Sequence, residues 1–137
     1  MAAGNFSITA MLLSRFAAEA ARYVPDVEVI DYASAKKPDV PSGTARELAE
    51  RLAGVRGQGT ARPVADVLGP KEARGAPVGA PVPVQVHSLR LPSYVLSCEA
   101  IFGAPDERLT IRHDAGSSAT PWERAPRSSC SGRPPEP

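Results

Sequence analysis

The stretch KKPDVPSGTA, residues 36–45, decides the fold, because a strand pattern ends just before it and a helix pattern begins inside it. Thr44 and Glu47 stand at the spacing of a capping box, in which the first side chain caps a helix and the second reaches back to it. Leucines follow at helical spacing and form an apolar stripe. We therefore predict a strand–turn–helix unit whose helix ends near Gly54.

The beginning of this helix is a candidate anion site. Backbone N–H groups in a first helical turn lack intrahelical partners and lie at the positive end of the helix dipole, so Ser42, Gly43 and Thr44 can hold a carboxylate or a phosphate. A P-loop is excluded because Lys37 precedes the glycine, which favours a carboxylate over a nucleotide. The alternative interpretation is an ordinary helix cap beside two solvated lysines, Lys36 and Lys37.

The segment before residue 36 predicts one helix and one strand. Ser7 is a good N-cap candidate, and apolar residues then recur at three- and four-residue spacing, which predicts a helix over residues 8–22 that Pro25 stops. Residues 27–32 alternate apolar and polar side chains, as is typical of a half-buried strand.

The segment after Gly54 predicts mainly strands. Gly and Pro dominate residues 54–83, so we expect a long surface excursion with one short strand around Val64–Leu68. Strand patterns then follow in series with turn residues between them, which predicts an antiparallel meander over residues 84–91, 94–102 and 108–113. Residues 121–137 are rich in Pro, Arg, Ser and Gly, and we expect them to form a disordered tail.

Composition narrows the class of protein. A chain of 137 residues fits one domain, and because only 5% of its residues are aromatic, the core must come mainly from Ala, Val and Leu. A net charge of +1 argues against nucleic acid and anionic membrane surfaces as partners. No apolar run is long enough for a membrane helix, and no basic segment precedes the first apolar stretch as in a signal peptide.

The cysteines and histidines do not indicate a metal site. Cys98 and Cys130 lie far apart and outside any metal-ligand spacing, and they form no disulfide framework, which favours a reducing, cytoplasmic setting. His87 and His113 fall in predicted strands without a carboxylate at ligand spacing, so we interpret both as structural residues.

Residues 37–45 resemble the K-x-D-x-P-S-G-T-A signature of the dihydrodipicolinate reductase family. Residues 4–7, 86–90 and 107–118 also resemble family segments in the same order, so the resemblance covers about residues 3 to 120. It implies that residues 1–120 are the carboxy-terminal domain of such a reductase, without its amino-terminal dinucleotide-binding domain, and that residues 121–137 follow as a tail.

The resemblance also implies a chemistry: hydride transfer from NADPH or NADH to a cyclic unsaturated dicarboxylate of the lysine and diaminopimelate pathway. Lys37 would be the catalytic proton donor. The substrate would be bound by Ser34, Ser42, Gly43 and Thr44, and the nicotinamide would be bordered by Ala3, Gly4, Asn5 and Phe6.

The chain departs from the family pattern at two places. Family members carry a histidine pair where this chain has Ala33 and Ser34, neither of which titrates near neutrality. No Gly-rich strand–turn–helix of the dinucleotide-binding type occurs in the sequence, so we expect weak or no NADPH binding and no turnover by this chain alone. The alternatives are a noncatalytic carboxylate-binding or oligomerisation module, or a truncated gene product.

The fold that the resemblance implies is α+β, with a mixed or antiparallel sheet of about four strands and two helices on one face. In the family, the other face of this sheet joins sister subunits in a tetramer. We also expect an apolar patch of Val84, Val86, Val95 and Ile101 to be too large for one small domain to cover, which predicts a homo-oligomer.

Overall fold

Two α-helices cover one face of a five-stranded mixed sheet in the computed structural model, which describes residues 7–116. The predicted α+β class is confirmed, with one strand more than the expected four or so. The elements are α1 Ile8–Ala21, β1 Val27–Ala33, α2 Gly43–Ala53, β2 Ala76–Val78, β3 Val84–Arg90, β4 Leu96–Ala104 and β5 Glu107–Ala115.

The strands are ordered β2-β3-β1-β4-β5, so β1 lies in the middle of the sheet. It pairs parallel with β3 and antiparallel with β4, and Val29 is therefore flanked by Val86 and Ala100. The predicted meander is wrong, because β1 separates β3 from β4, and of the three strands predicted to form it only the last two, β4 and β5, pair with each other. Alternating apolar residues predict each strand, but they do not specify which strand lies beside it.

The core lies between the two helices and one face of the sheet. Alternate residues of the strands point to it, and the fully buried side chains include Val29, Val84 and Phe102. Small alanines on both helices allow close packing against this face, as the composition predicts: Ala17, Ala21, Ala49 and Ala53 are each at most 1% exposed.

Two of the four residues that were predicted to form an exposed apolar patch are buried. Val84 and Val86 are 0% and 5% exposed and lie beneath the helices. Val95 and Ile101 are not in that core, and Ile101 lies on the opposite face of the sheet, which no helix covers in the described part of the chain. The error arises because the patch combined residues from opposite faces of the sheet: Val84 and Val86 face the helices, whereas Ile101 faces away from them.

Both helices begin at a serine cap. The Ala10 N–H donates to Ser7 Oγ at 3.3 Å, as predicted. In α2 the cap is Ser42, whose Oγ accepts from the Ala45 N–H at 3.2 Å, and not Thr44 as the capping-box spacing predicted. Ser42 has an extended backbone (φ −63°, ψ 158°), so Gly43 and Thr44 are the first residues of the helix.

The excursion between α2 and β3 is organised differently from the prediction. Residues Val64–Asp66 form a short 3-10 helix, not a strand, and the strand of this region is β2, which pairs with the edge of β3. Prolines and glycines around β2 hide it from a strand pattern. Gly79 has φ +92° and lies so close to α2 that an added Cβ would be 2.6 Å from Ala53 Cβ, so a glycine is required there.

The described residues contain no helix that is long and apolar enough to cross a membrane. The predicted nicotinamide-bordering residues Ala3, Gly4, Asn5 and Phe6, the predicted tail 121–137 and the boundary between tail and domain lie outside the described residues.

Candidate anion-binding site

Residues 34–42 link β1 to α2 at the carboxyl ends of the parallel strands β1 and β3, where Ala33 pairs with Arg90. Ligands in α/β folds commonly bind at such an edge. A tight turn opens the link: the Lys37 N–H donates to the Ser34 carbonyl at 3.0 Å, and the Lys36 N–H donates to Ser34 Oγ at 3.2 Å. The hydroxyl of Ser34 therefore organises the turn that carries Lys37.

Lys37 stands at the rim of this edge. Its side chain is 30% exposed, and its Nζ lies 3.1 Å from Asp39 Oδ1. A hydrogen bond from Lys37 holds the pKa of Asp39 below its ordinary value. Because Asp39 is largely exposed, a dianion that arrives at the rim can compete with it for the ammonium group.

The first turn of α2 offers fewer free amides than the sequence suggested. The Ser42 N–H donates to Asp31 Oδ2 at 2.9 Å, and the Ala45 N–H donates to Ser42 Oγ. Within residues 7–116, the N–H groups of Gly43 and Thr44 have no acceptor. These two amides lie at the positive end of the helix and are available to an anion.

The space in front of Gly43 is open. A Cβ added there would meet nothing within 4 Å, and Gly43 does not have a positive φ. Neither packing nor backbone geometry therefore requires a glycine at this position. A glycine here would, however, let a ligand approach the backbone closely.

Sequence reasoning missed the polar groups behind the site. Asp31 is 0% exposed, and its Oδ2 accepts from Ser88 Oγ and Arg90 Nη2, both at 2.9 Å, as well as from Ser42. Arg90 Nη2 also donates to the Asp39 carbonyl at 3.0 Å. A usable sign was present: Val27, Val29 and Asp31 alternate on one strand face, so Asp31 had to be a buried charge with a cationic partner.

A concavity of about 1230 Å³ lies elsewhere and contains none of the predicted site residues. It borders the uncovered face of the sheet, where Glu28 is hydrogen-bonded to Arg74 and lies 2.7 Å from His87 Nε2. Burial raises the pKa of Glu28, but the hydrogen bonds from Arg74 and His87 outweigh this, and the net pKa lies below its ordinary value. We interpret this cluster as structural, since each charge has a partner within the domain.

Among residues 7–116, the remaining polar side chains do not form a metal site. No group of three or more His, Cys, Asp or Glu side chains in the described ranges could hold a metal ion. His113 is buried, and this burial lowers its pKa. From Val27 to Ala53 the strand, link and helix contain one glycine, Gly43, so they lack the Gly-rich turn by which a strand–turn–helix unit binds a dinucleotide.

Comparison with known proteins gives the family. The model of "Dihydrodipicolinate reductase, C-terminus" matches residues 9–120. A 4-hydroxy-tetrahydrodipicolinate reductase of Streptococcus thermophilus (strain CNRZ 1066) is 46% identical over 116 residues, which are 82% of this chain and 43% of that protein. The homologue of Streptococcus suis (strain 05ZYH33) is 47% identical over the same shares of the two chains. This chain thus spans less than half the length of these curated relatives.

A solved structure agrees. The dipicolinate-bound dihydrodipicolinate reductase from Paenisporosarcina sp. TG-14 superposes with a TM-score of 0.72 at 37% identity and covers 82% of this chain, which spans 41% of that one. The chain belongs to the dihydrodipicolinate reductase family and matches its carboxy-terminal domain.

Proposed function

We propose that this chain is the substrate-binding and assembly domain of a 4-hydroxy-tetrahydrodipicolinate reductase-like oxidoreductase of lysine and diaminopimelate biosynthesis. The proposal rests on the start of α2, where the N–H groups of Gly43 and Thr44 have no acceptor among the described residues and the space in front of Gly43 is open. The related reductase from Paenisporosarcina sp. TG-14 is bound to dipicolinate. Dipicolinate is a dicarboxylate, the class of ligand that such amides bind.

In this proposal one carboxylate of the substrate binds the Gly43 and Thr44 amides, and Ser42 caps the helix to which these amides belong. Lys37 supplies positive charge at the rim and acts as the proton donor. Its ammonium group is already hydrogen-bonded to a carboxylate, Asp39, which the substrate would replace in part. Ser34 orders the turn that carries Lys37 and can donate its hydroxyl proton to the substrate.

Hydride for the reduction would come from NADPH or NADH. The residues proposed to border the nicotinamide, Ala3 to Phe6, lie outside the described range, and residues 7–116 contain no Gly-rich strand–turn–helix of the dinucleotide-binding type. We therefore propose that the 137 residues alone bind NAD(P)H weakly or not at all, and that turnover requires a dinucleotide-binding region in addition to them.

A second candidate is a noncatalytic module that binds a carboxylate and assembles into oligomers. It is favoured by Ala33, which is 0% exposed and has no titratable group, and by Ser34, because these two residues stand where the family pattern has histidines. Both candidates share the anion site. They differ in whether Lys37 donates a proton to a substrate that receives a hydride.

Assembly would use the face of the sheet that the helices leave open. In the described residues this face carries half-buried Ile30 and Ile101 beside satisfied ion pairs such as Glu99 with Arg112, at 3.3 Å. Such a mixture of apolar and paired polar groups suits contact with a second copy, and we propose a homotetramer. We place the protein in the cytoplasm, where the free thiol of buried Cys98 would stay reduced.

Calorimetry with pyridine-2,6-dicarboxylate tests the anion site. The unmodified chain should bind it, and Lys37→Ala should weaken binding by about tenfold, since one charge-assisted contact of about 1.4 kcal/mol is lost. Lys36→Ala is the matched control: it removes the same charge one residue away, and its affinity should stay within about twofold. Equal affinity of all three proteins would show that Lys37 is not part of the site.

A turnover assay separates the two candidates. The chain is mixed with NADPH and the reductase substrate, alone and then with a separately produced dinucleotide-binding domain of a relative. The first candidate predicts oxidation of NADPH only in the mixture, and loss of that activity in Lys37→Ala. Binding of the dicarboxylate without any turnover in the mixture supports the noncatalytic module.

A further inference from the structure

A buried carboxylate lies directly behind the candidate site. Asp31 is 0% exposed, and Arg90, the cation that pairs with it at 2.9 Å, has a side chain that is 15% exposed. Removing two charges from water is costly, and a buried ion pair contributes little to stability compared with apolar residues of the same size. The pair therefore calls for a role other than stability.

The hydrogen bonds of this pair converge on the two ends of one segment. Asp31 accepts the N–H of Ser42, the residue before α2 begins, at 2.9 Å. Arg90 donates to the carbonyl of Asp39 at 3.0 Å. Both anchored residues flank the cis Val40–Pro41 peptide, and they connect the lysine turn to the first residues of the helix.

Not every buried polar atom of the Asp31–Arg90 pair has a hydrogen-bond partner among the described residues. Asp31 Oδ2 accepts from three donors, whereas Asp31 Oδ1 and Arg90 Nε have no partner within the described part of the chain. A pair selected for stability alone would satisfy these buried atoms. Here the contacts are concentrated on the oxygen that holds the Ser42 amide and the Arg90 guanidinium.

We propose that Asp31 and Arg90 are positioning residues of the anion site: together they anchor the segment Asp39–Ser42 against the sheet, so that the Gly43 and Thr44 amides face the ligand. This inference rests on the proposed function and deepens it. Asp31 acts as a resident carboxylate that occupies the Ser42 amide, which leaves the next two amides of the helix for the substrate carboxylate.

Two physical consequences follow from this arrangement. Anchoring the segment before the ligand arrives reduces the ordering cost of binding, which favours affinity. Arg90 also neutralises Asp31, so the buried carboxylate does not repel an anion held one residue further along the helix.

The test uses the double variant Asp31→Leu/Arg90→Met. The single change Asp31→Leu would leave Arg90 as a buried, unpaired charge and destabilise the fold, whereas the double variant removes both charges at similar volume and should fold. We expect it to bind pyridine-2,6-dicarboxylate about 10- to 100-fold more weakly than the unmodified chain, by analogy with the loss of groups that orient metal ligands. The control Glu99→Gln/Arg112→Gln removes the ion pairs of Arg112 with Glu99 and Asp114 on the opposite face of the sheet and should not change affinity.

Amide hydrogen exchange supplies a readout that is independent of the ligand. In the double variant the Ser42 N–H should exchange at least about tenfold faster, while the amides of Leu48 and Leu52 in the same helix stay protected. A neutral pair that keeps an acceptor for Ser42, Asp31→Asn/Arg90→Gln, should recover most of the affinity and the protection.

The outcomes are separable. If the double variant folds and binds the dicarboxylate as tightly as the unmodified chain, the positioning role is overturned. If the unmodified chain does not bind the dicarboxylate at all, the proposed function fails, and the exchange of Ser42 still decides whether the pair anchors the segment. Unchanged exchange at Ser42 would overturn the anchoring itself.

Discussion

Replacing Gly43 by alanine is the most discriminating change in the proposed site, because the fold should tolerate it and the ligand should not. The added methyl group meets nothing within 4 Å, and Gly43 does not have a positive φ. The backbone conformation is therefore open to alanine. The methyl group would stand in the space through which a carboxylate reaches the Gly43 and Thr44 amides.

The substitution Gly43→Ala should raise the stability of the fold and lower the affinity for the dicarboxylate. Alanine restricts the unfolded chain more than glycine does, so the free energy of unfolding should rise by about 0.4 to 1 kcal/mol, which corresponds to an increase in Tm of about 2 to 6 °C. Affinity should fall, because a charge-assisted hydrogen bond of about 1.5 to 3 kcal/mol is prevented. That loss corresponds to about 10- to 150-fold weaker binding.

Differential scanning calorimetry and isothermal titration with pyridine-2,6-dicarboxylate measure the two quantities on the same protein. Gly54→Ala is the matched control at the opposite end of α2, where an added Cβ would be 3.5 Å from the Arg51 carbonyl, an ordinary contact. It should leave the affinity unchanged. A Gly43→Ala protein that is folded and binds the dicarboxylate as tightly as the unmodified chain would refute the assignment of these amides.

Three further predictions concern the domain around the site. Ser42→Ala removes the acceptor of the Ala45 N–H and should lower the free energy of unfolding by about 1 kcal/mol in denaturant titration; an unchanged midpoint would contradict its role as the cap. Because the folded-state pKa of Glu28 is lowered, its contribution to stability is full above its unfolded-state pKa and is lost as the pH falls through the folded-state pKa. The stability difference between the unmodified chain and Glu28→Gln should therefore shrink as the pH falls below 4.5, the ordinary pKa of the group, and a difference independent of pH would refute this. Cys98 is buried, and this burial raises its pKa to about 12. In a Cys130→Ser background, a thiol reagent at pH 8 should therefore label Cys98 about a thousandfold more slowly in the native chain than in the unfolded chain. Rapid labelling of the native chain would contradict the buried thiol.

Local patterns predicted the helices and most strands. The spacing after Ser7 gave α1 to within a residue of its end, and the alternation from Val27 gave β1. These elements are specified by neighbours in sequence, namely a cap and a periodic apolar face. The cap of α2 was misplaced by two residues, because both Ser42 and Thr44 can cap and only the backbone conformation distinguishes them.

The order of the strands could not be predicted in this way. α2 and the excursion return the chain to lie parallel beside β1 as β3, and residues 91–95 then pass the end of β1, so that β4 begins on its other side. Such a pairing depends on contacts between residues that are far apart in sequence. Strand β2 was missed for a related reason, since a three-residue edge strand with Pro77 has too few residues to show a pattern.

The residues of the candidate site could be named from the sequence, but the hydrogen bonds that their donors make could not. Lys37 and the residues 42–44 lie on one continuous link and helix start, as the motif suggested. The sequence could not tell that Asp31 already occupies the Ser42 amide. That contact joins residues 11 positions apart, and it reduces three candidate amides to two.

Binding of a carboxylate by the Gly43 and Thr44 amides is the central claim. The most direct measurement is a titration of the ¹⁵N-labelled chain with pyridine-2,6-dicarboxylate, in which the backbone amide signals are followed by NMR. We predict that the signals of Gly43 and Thr44 shift downfield most, as their N–H groups gain an acceptor, while the signal of Ser42 moves little. Shifts concentrated at the concavity around Glu28 and His87, with those of Gly43 and Thr44 unmoved, would contradict it.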